Sequence, residues 1–182
     1  METGPAARHR RPFLAPIWLT ALAVLVVAVI ALVVYRSAGT TMFIVVPAAE
    51  STLGSIRDAP LSPEGELRAD QLAQLFASAA APGRVVAIYV SSMRRTQQTA
   101  APLAMRLGIE PVVAADSADA TVAQALRAHR GETVMIVSSS PAEVVKALTG
   151  ISMPQGADDD PASLYIVSDP LLGSTGLVEL HY

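Results

Sequence analysis

VVAIYVSSMRRTQQTAAPLAMRLG, residues 85–108, is the stretch on which the reading of the fold turns. Its first six residues are a continuous β-rich apolar run, the pattern of a strand covered on both faces. Two serines break the run. A helix is expected from about Arg95 to Leu107, closed by Gly108. Strand, short loop and helix in that order form half of a βαβ unit, which needs further strands and helices to complete it.

Upstream, residues 41–46 (TMFIVV) read as another buried strand ending at Pro47. Residues 57–63 contain two prolines and read as a loop. Ser62 then serves as N-cap and Pro63 as the first helical residue. Leu67, Leu72, Leu75 and Phe76 recur at helical spacing as a core stripe, and Pro82-Gly83 ends that helix. Downstream come a short strand at 111–113, an alanine-rich helix at 118–129 and a strand at 133–137 (TVMIV). The serines at 138–140 lead into a helix from Pro141 to Gly150. Residues 152–162 form a polar loop, and strands at 164–167 and 177–182 flank a turn at Gly173 and Gly176. The expected fold is a three-layer α/β/α domain around a mainly parallel sheet. In such folds ligands sit at the carboxyl ends of the strands, here residues 47–50, 91–95 and 138–140.

Composition narrows the chemistry. The 182 residues include no cysteine, which excludes a disulfide framework, a thiolate zinc site and a cysteine nucleophile. A net charge of −3 with scattered basic residues leaves no footprint for nucleic acid. Asp158-Asp159-Asp160 lacks the spaced ligands and closing Glu of a calcium loop, so no metal or cofactor is expected. The apolar excess is concentrated in one place. From Phe13 to Tyr35 no residue is charged, and 23 helical residues at ~1.5 Å each reach roughly 34 Å, enough to cross a ~30 Å hydrocarbon core. Trp18 and Tyr35 stand near its ends, as interfacial aromatics do. A cleaved signal peptide has a shorter apolar stretch of about 7–15 residues and a small-x-small site. Residues 34–36 (VYR) offer no such site, although 37–39 (SAG) are small.

The expected organisation is a basic cytoplasmic tail at 1–12, a transmembrane helix at 13–35, a linker at 36–40 and an α/β domain at 41–182. Arg8, Arg10 and Arg11 precede the span and Arg36 follows it closely. This bias places the amino terminus in the cytoplasm and residues 37–182 outside it, at the cell membrane.

Four segments of the α/β domain, in order, resemble the histidine phosphatase (phosphoglycerate mutase-like) superfamily, especially its small phosphohistidine-phosphatase-like branch. FIVVPAAE at 43–50 stands where the family has a strand followed by Arg-His-(Gly/Ala)-Glu. DAPLSPEG at 58–65 is close to D-x-P-L-(S/T)-x-x-G, and SSMRRTQQTA at 91–100 is close to S-x-x-x-R-x-x-Q-T-A. IVSSS at 136–140 stands where the family has a strand and Gly-His-Ser. The resemblance implies phosphoryl transfer through a nucleophilic histidine, with two arginines and a second histidine on the phosphoryl oxygens. Here the Arg-His pair is Pro47-Ala48, the second histidine is Ser139, and only the second arginine survives, as Arg95. Alanine has no lone pair, and proline lacks the bidentate fork with which arginine meets phosphate. His9, His129 and His181 all fall away from the expected strand ends.

The expectation is therefore a membrane-anchored, catalytically inactive domain that binds a protein partner or a small anion such as phosphate. Arg95, Arg57, Ser139 and Ser140 are its candidate anion-binding residues. Two alternatives stand beside it: an active phosphatase with a relocated nucleophile, such as a serine at 138–140, and a structural domain without a ligand. In the latter, Ser139 or Ser140 caps the following helix and Arg95 pairs with a carboxylate such as Glu50.

Overall fold

The computed structural model describes residues 17–37, 39–52, 58–77, 83–114, 117–154, 162–170 and 174–181. The chain divides into two units, Met1–Tyr35 and Arg36–Tyr182. In the first, α1 (Ile17–Ser37) is a continuous helix. Its side chains are described over 18–32, where all are exposed, Trp18, Val24 and Ile30 among them. Among the described residues no helix is long and apolar enough to cross a membrane. Residues 13–16, the start of the expected span, lie outside the described residues.

In the second unit, strands and helices alternate as β1 (Thr41–Pro47), α2 (Pro63–Ala77), β2 (Val85–Val90), α3 (Arg94–Leu107), β3 (Val112–Val113), α4 (Ala118–Ala128), β4 (Thr133–Ser138), α5 (Pro141–Thr149), β5 (Ser163–Asp169) and β6 (Gly176–His181). They build a six-stranded sheet in the order β3-β2-β4-β1-β5-β6. The first four run parallel, while β5 lies antiparallel to β1 and to β6. The sheet is thus mixed, a refinement of the mainly parallel expectation.

Side-chain alternation splits each strand between two cores. Ile44, Val46, Met135 and Val137 face Leu72 and Phe76 of α2 and Leu103 of α3. Phe43, Val45, Val134 and Ile136 face Val122 of α4 and Val144 and Val145 of α5. These faces are the two outer helical layers. In β2, Val85 and Ile88 share a core despite their odd spacing, because a register shift between Val85 and Ala87 absorbs one residue.

The helix ends obey the local chemistry. Ser62 Oγ accepts from Gly65 N–H at 3.1 Å, as expected of an N-cap before Pro63. Gly108 and Gly150 close α3 and α5 with φ of 66° and 73°. Pro102 sits inside α3 without ending it, since Ala100, Leu103 and Ala104 around it are buried against the sheet.

The stripe expected on α2 needs correction. Its buried positions are Gly65, Ala69, Leu72, Ala73 and Phe76, whereas Leu67 is 65% and Leu75 41% exposed. The helix turns its small residues to the core because α2 lies close against Glu50 and α3. The turn residue Gly173, the distal part of the polar loop at 155–161, and Tyr182 lie outside the described residues.

Candidate anion-binding site

The carboxyl ends of β1, β2 and β4 meet at one edge of the sheet. Pro47 is opposite Ser138 in the parallel register, and Ala48 N–H donates to the Ser138 carbonyl at 2.9 Å. This bond places Ala48 directly beside the serine turn at 138–140. The next residue ties the same loop to α3, as Ala49 N–H donates to Thr99 Oγ1 at 3.0 Å in a buried contact. Thr99 Oγ1 in turn donates to the Arg95 carbonyl at 2.7 Å. Arg95, one helical turn before Thr99, is thereby brought to the edge that holds Ala48.

Neighbouring loops are fastened to α3 in the same way. Leu61 N–H donates to Gln98 Oε1 at 3.0 Å, and Arg94 N–H donates to Asp58 Oδ1 at 2.7 Å. Ser62 N–H donates to the Glu50 carbonyl at 2.8 Å, joining the loop after β1 to the start of α2. Sequence reasoning missed Thr99, Gln98 and Asp58 as anchors. All three stand in the motif segments at 58–65 and 91–100, where residue identity alone does not reveal which loop each one ties down.

The side chains sort differently from the structural alternative. Glu50 pairs with Arg68, not with Arg95: Arg68 Nε lies 2.9 and 3.0 Å from the two carboxylate oxygens, with one terminal nitrogen at 2.6 Å. That forked, part-buried pair clamps α2 to the loop after β1. Arg68→Ala is expected to lower stability by about 1 kcal/mol, read as a shift of the urea midpoint.

Arg95 itself is half-buried. Its Nε is removed from solvent and has no hydrogen-bond partner. Ser140 occupies the N-cap of α5, yet its side chain makes no capping bond. Instead the Ser138 hydroxyl accepts from Ser140 N–H at 3.0 Å. So the serines at 139 and 140 do not cap α5, and their hydroxyls make no hydrogen bond to a described residue. The Ser138–Ser140 bond forms a local turn ahead of α5 and leaves both hydroxyls available. Arg57 lies outside the described residues.

Among the described residues no histidine faces these serines, and Glu143, which lines the same cleft, makes no hydrogen bond to either hydroxyl. His129 ends α4, 3.1 Å from Glu132 and edge-on to the ring of Tyr89, while His181 on β6 lies 3.3 Å from Ser163 Oγ. Burial raises the Tyr89 phenol above its ordinary range, so it is neutral near pH 7. Among the described residues no group of three acidic or histidine side chains is placed to hold a metal ion. The arrangement offers one guanidinium and free hydroxyls, which suits binding of an oxyanion better than nucleophilic attack.

Comparison with known proteins agrees with this architecture. The phosphohistidine phosphatase SixA of Nakamurella multipartitia, described as putative in its structure, is 20% identical over 80% of this chain and 98% of its own, with a TM-score of 0.54. The α-ribazole-5′-P phosphatase of Escherichia coli K-12, described in the same terms, is 12% identical over 79% and 97%, with a TM-score of 0.61. The protein histidine phosphatase SixA complexed with tungstate is 14% identical over 77% and 96%, with a TM-score of 0.63. Against curated proteins the chain finds no match. Residues 38–119 match the model of the histidine phosphatase superfamily, branch 1. That match covers 38–119 alone, and the α/β domain that contains it has the fold of these phosphatases.

Proposed function

We propose that this protein is a membrane-anchored, catalytically inactive member of the superfamily that binds a small tetrahedral anion through Arg95. The observation that carries the reading is the buried Arg95 Nε without a hydrogen-bond partner, on the helix that Thr99 ties to the loop of Ala48 and Ala49. Leaving a buried donor unsatisfied costs about 1–3 kcal/mol, and more for a charged group. An oxyanion at this edge satisfies it. A neighbouring fold was solved with tungstate, itself a tetrahedral oxyanion. Ala48 and Ser139 stand where the motif comparison expects imidazoles, and neither supplies a nucleophile with a base.

The anchor rests on the uncharged run from residue 13 to 35 and on the exposure of every described side chain of α1. With three arginines ahead of the run, the binding domain lies outside the cytoplasm. There it acts as a ligand-sensing or partner-recruiting module.

Calorimetric titration of the full chain with inorganic phosphate tests the site. Saturable binding is expected in the wild type, with an affinity loss of about tenfold or more in Arg95→Ala. Arg95→Lys should recover only part of it, because an ammonium lacks the guanidinium fork. Heat that is absent in the wild type, or identical in Arg95→Ala, overturns the reading.

A further inference from the structure

The serine turn at 138–140 has a second side. Towards α4 and α5 it borders an open cleft of about 230 Å³, which neither Ala48 nor Arg95 lines. We propose that this cleft binds a small neutral polyhydroxylated ligand of pentose or hexose size. The cleft shares Ser139 and Ser140 with the anion site, but the inference requires neither Arg95 nor a bound anion.

Three features of the cleft point to that chemistry. Its floor is apolar: Ile136, Val137 and Val144 are buried there, at 2%, 1% and 3% exposure. Its rim is made of hydroxyls, and those of Ser92, Ser139 and Ser140 make no hydrogen bond to a described residue. Glu143 is the only ionisable residue among the described lining, and its carboxylate has no hydrogen-bond or ion-pair partner among the described residues. A sugar ring or cyclitol presents C–H faces to an apolar floor and hydroxyls to a polar rim. A carboxylate accepts from two such hydroxyls at once. An anion is disfavoured, because the lining has a carboxylate and no described cation to offset it. The size also fits. The volume is below the ~300–1,000 Å³ of sites for drug-sized molecules, and is room for roughly seven waters at ~30 Å³ each.

The serines on either side arise from separate elements. Ser92 follows β2, and Ser139 and Ser140 follow β4, so the cleft is assembled only when the parallel strands align. Ser91 does not contribute a free hydroxyl, since it is bonded to Thr96 Oγ1 at 2.8 Å and accepts from Met93 N–H.

Saturation-transfer NMR on the full chain tests this, in a detergent without a sugar headgroup, with D-ribose, D-glucose and myo-inositol as probes. At least one probe is expected to give a saturable signal. Glu143→Ala should weaken it about tenfold, through loss of the charge-assisted hydrogen bonds. Glu143 is exposed, so the variant keeps its fold, as a circular dichroism spectrum will show. The proposal is overturned if no probe saturates or if Glu143→Ala binds as wild type does.

Discussion

Incubated with an aryl phosphate or with phosphohistidine, the full-length chain is expected to release no more phosphate than buffer alone. Removing the nucleophile from an enzyme that works through a covalent intermediate costs on the order of 10⁶ in kcat. Phosphoryl transfer also depends on positioned positive charge around the equatorial oxygens. Of the arginine and histidine positions that the motif comparison identifies, only Arg95 keeps a positively charged side chain. Ala48 is held in place by its bond to the Ser138 carbonyl, but its methyl group takes no part in bond formation. Ser139 and Ser140 have hydroxyls free to react, yet no imidazole or carboxylate is bonded to them to accept a proton. Arg95→Ala should therefore weaken phosphate binding about tenfold or more and change no turnover. Turnover above buffer that disappears in Arg95→Ala sinks the inactive reading. A phosphoenzyme trapped on serine would instead establish the relocated nucleophile.

A second large effect is expected at Gly65, where alanine should lower stability by about 3 kcal/mol. A Cβ there would meet the Glu50 carbonyl oxygen at 2.2 Å and the Glu50 backbone carbon and nitrogen at 3.2 Å. The obstacle is backbone, which cannot rotate aside as a long side chain does. That carbonyl also accepts from Ser62 N–H, so pushing it away loosens the residue that caps α2. At roughly 2–4 °C per kcal/mol for a domain of this size, thermal unfolding should begin about 10 °C earlier. Gly108→Ala is the proper comparison. Nothing lies within 4 Å of its Cβ position, and the cost there is the left-handed φ of 66°, about 1–2 kcal/mol. Equal destabilisation at the two glycines would show that the close approach of α2 to Glu50 is wrong.

Gly65 also shows why parts of the fold were legible and others were not. The strands at β1, β2 and β4 announce themselves because burial on both faces demands unbroken apolar runs. The helix starts and stops follow from Ser62, Pro63, Gly108 and Gly150, whose effects are confined to one turn. The core face of α2 was misassigned because Leu67 and Leu75 carry the larger apolar side chains. Hydrophobicity alone selects them. The close packing of α2 selects Gly65, Ala69 and Ala73 instead, and that distance is set by another part of the chain.

The same division runs through the site. Sequence by itself established the order of elements, the three strand ends at which a ligand would be sought, and the residues present there: Pro47, Ala48, Arg95 and Ser139. These depend on residue identity and on short-range periodicity. Only tertiary structure decided the partners. Glu50 goes to Arg68, Ser138 accepts from Ser140 N–H while Ser140 makes no capping bond, and Arg95 Nε is buried without a partner. Thr99 reaches Ala49 across fifty positions of sequence. Hydrogen bonds and ion pairs have a reach of a few ångströms, so which groups meet is decided by the packing of distant segments and not by their spacing along the chain.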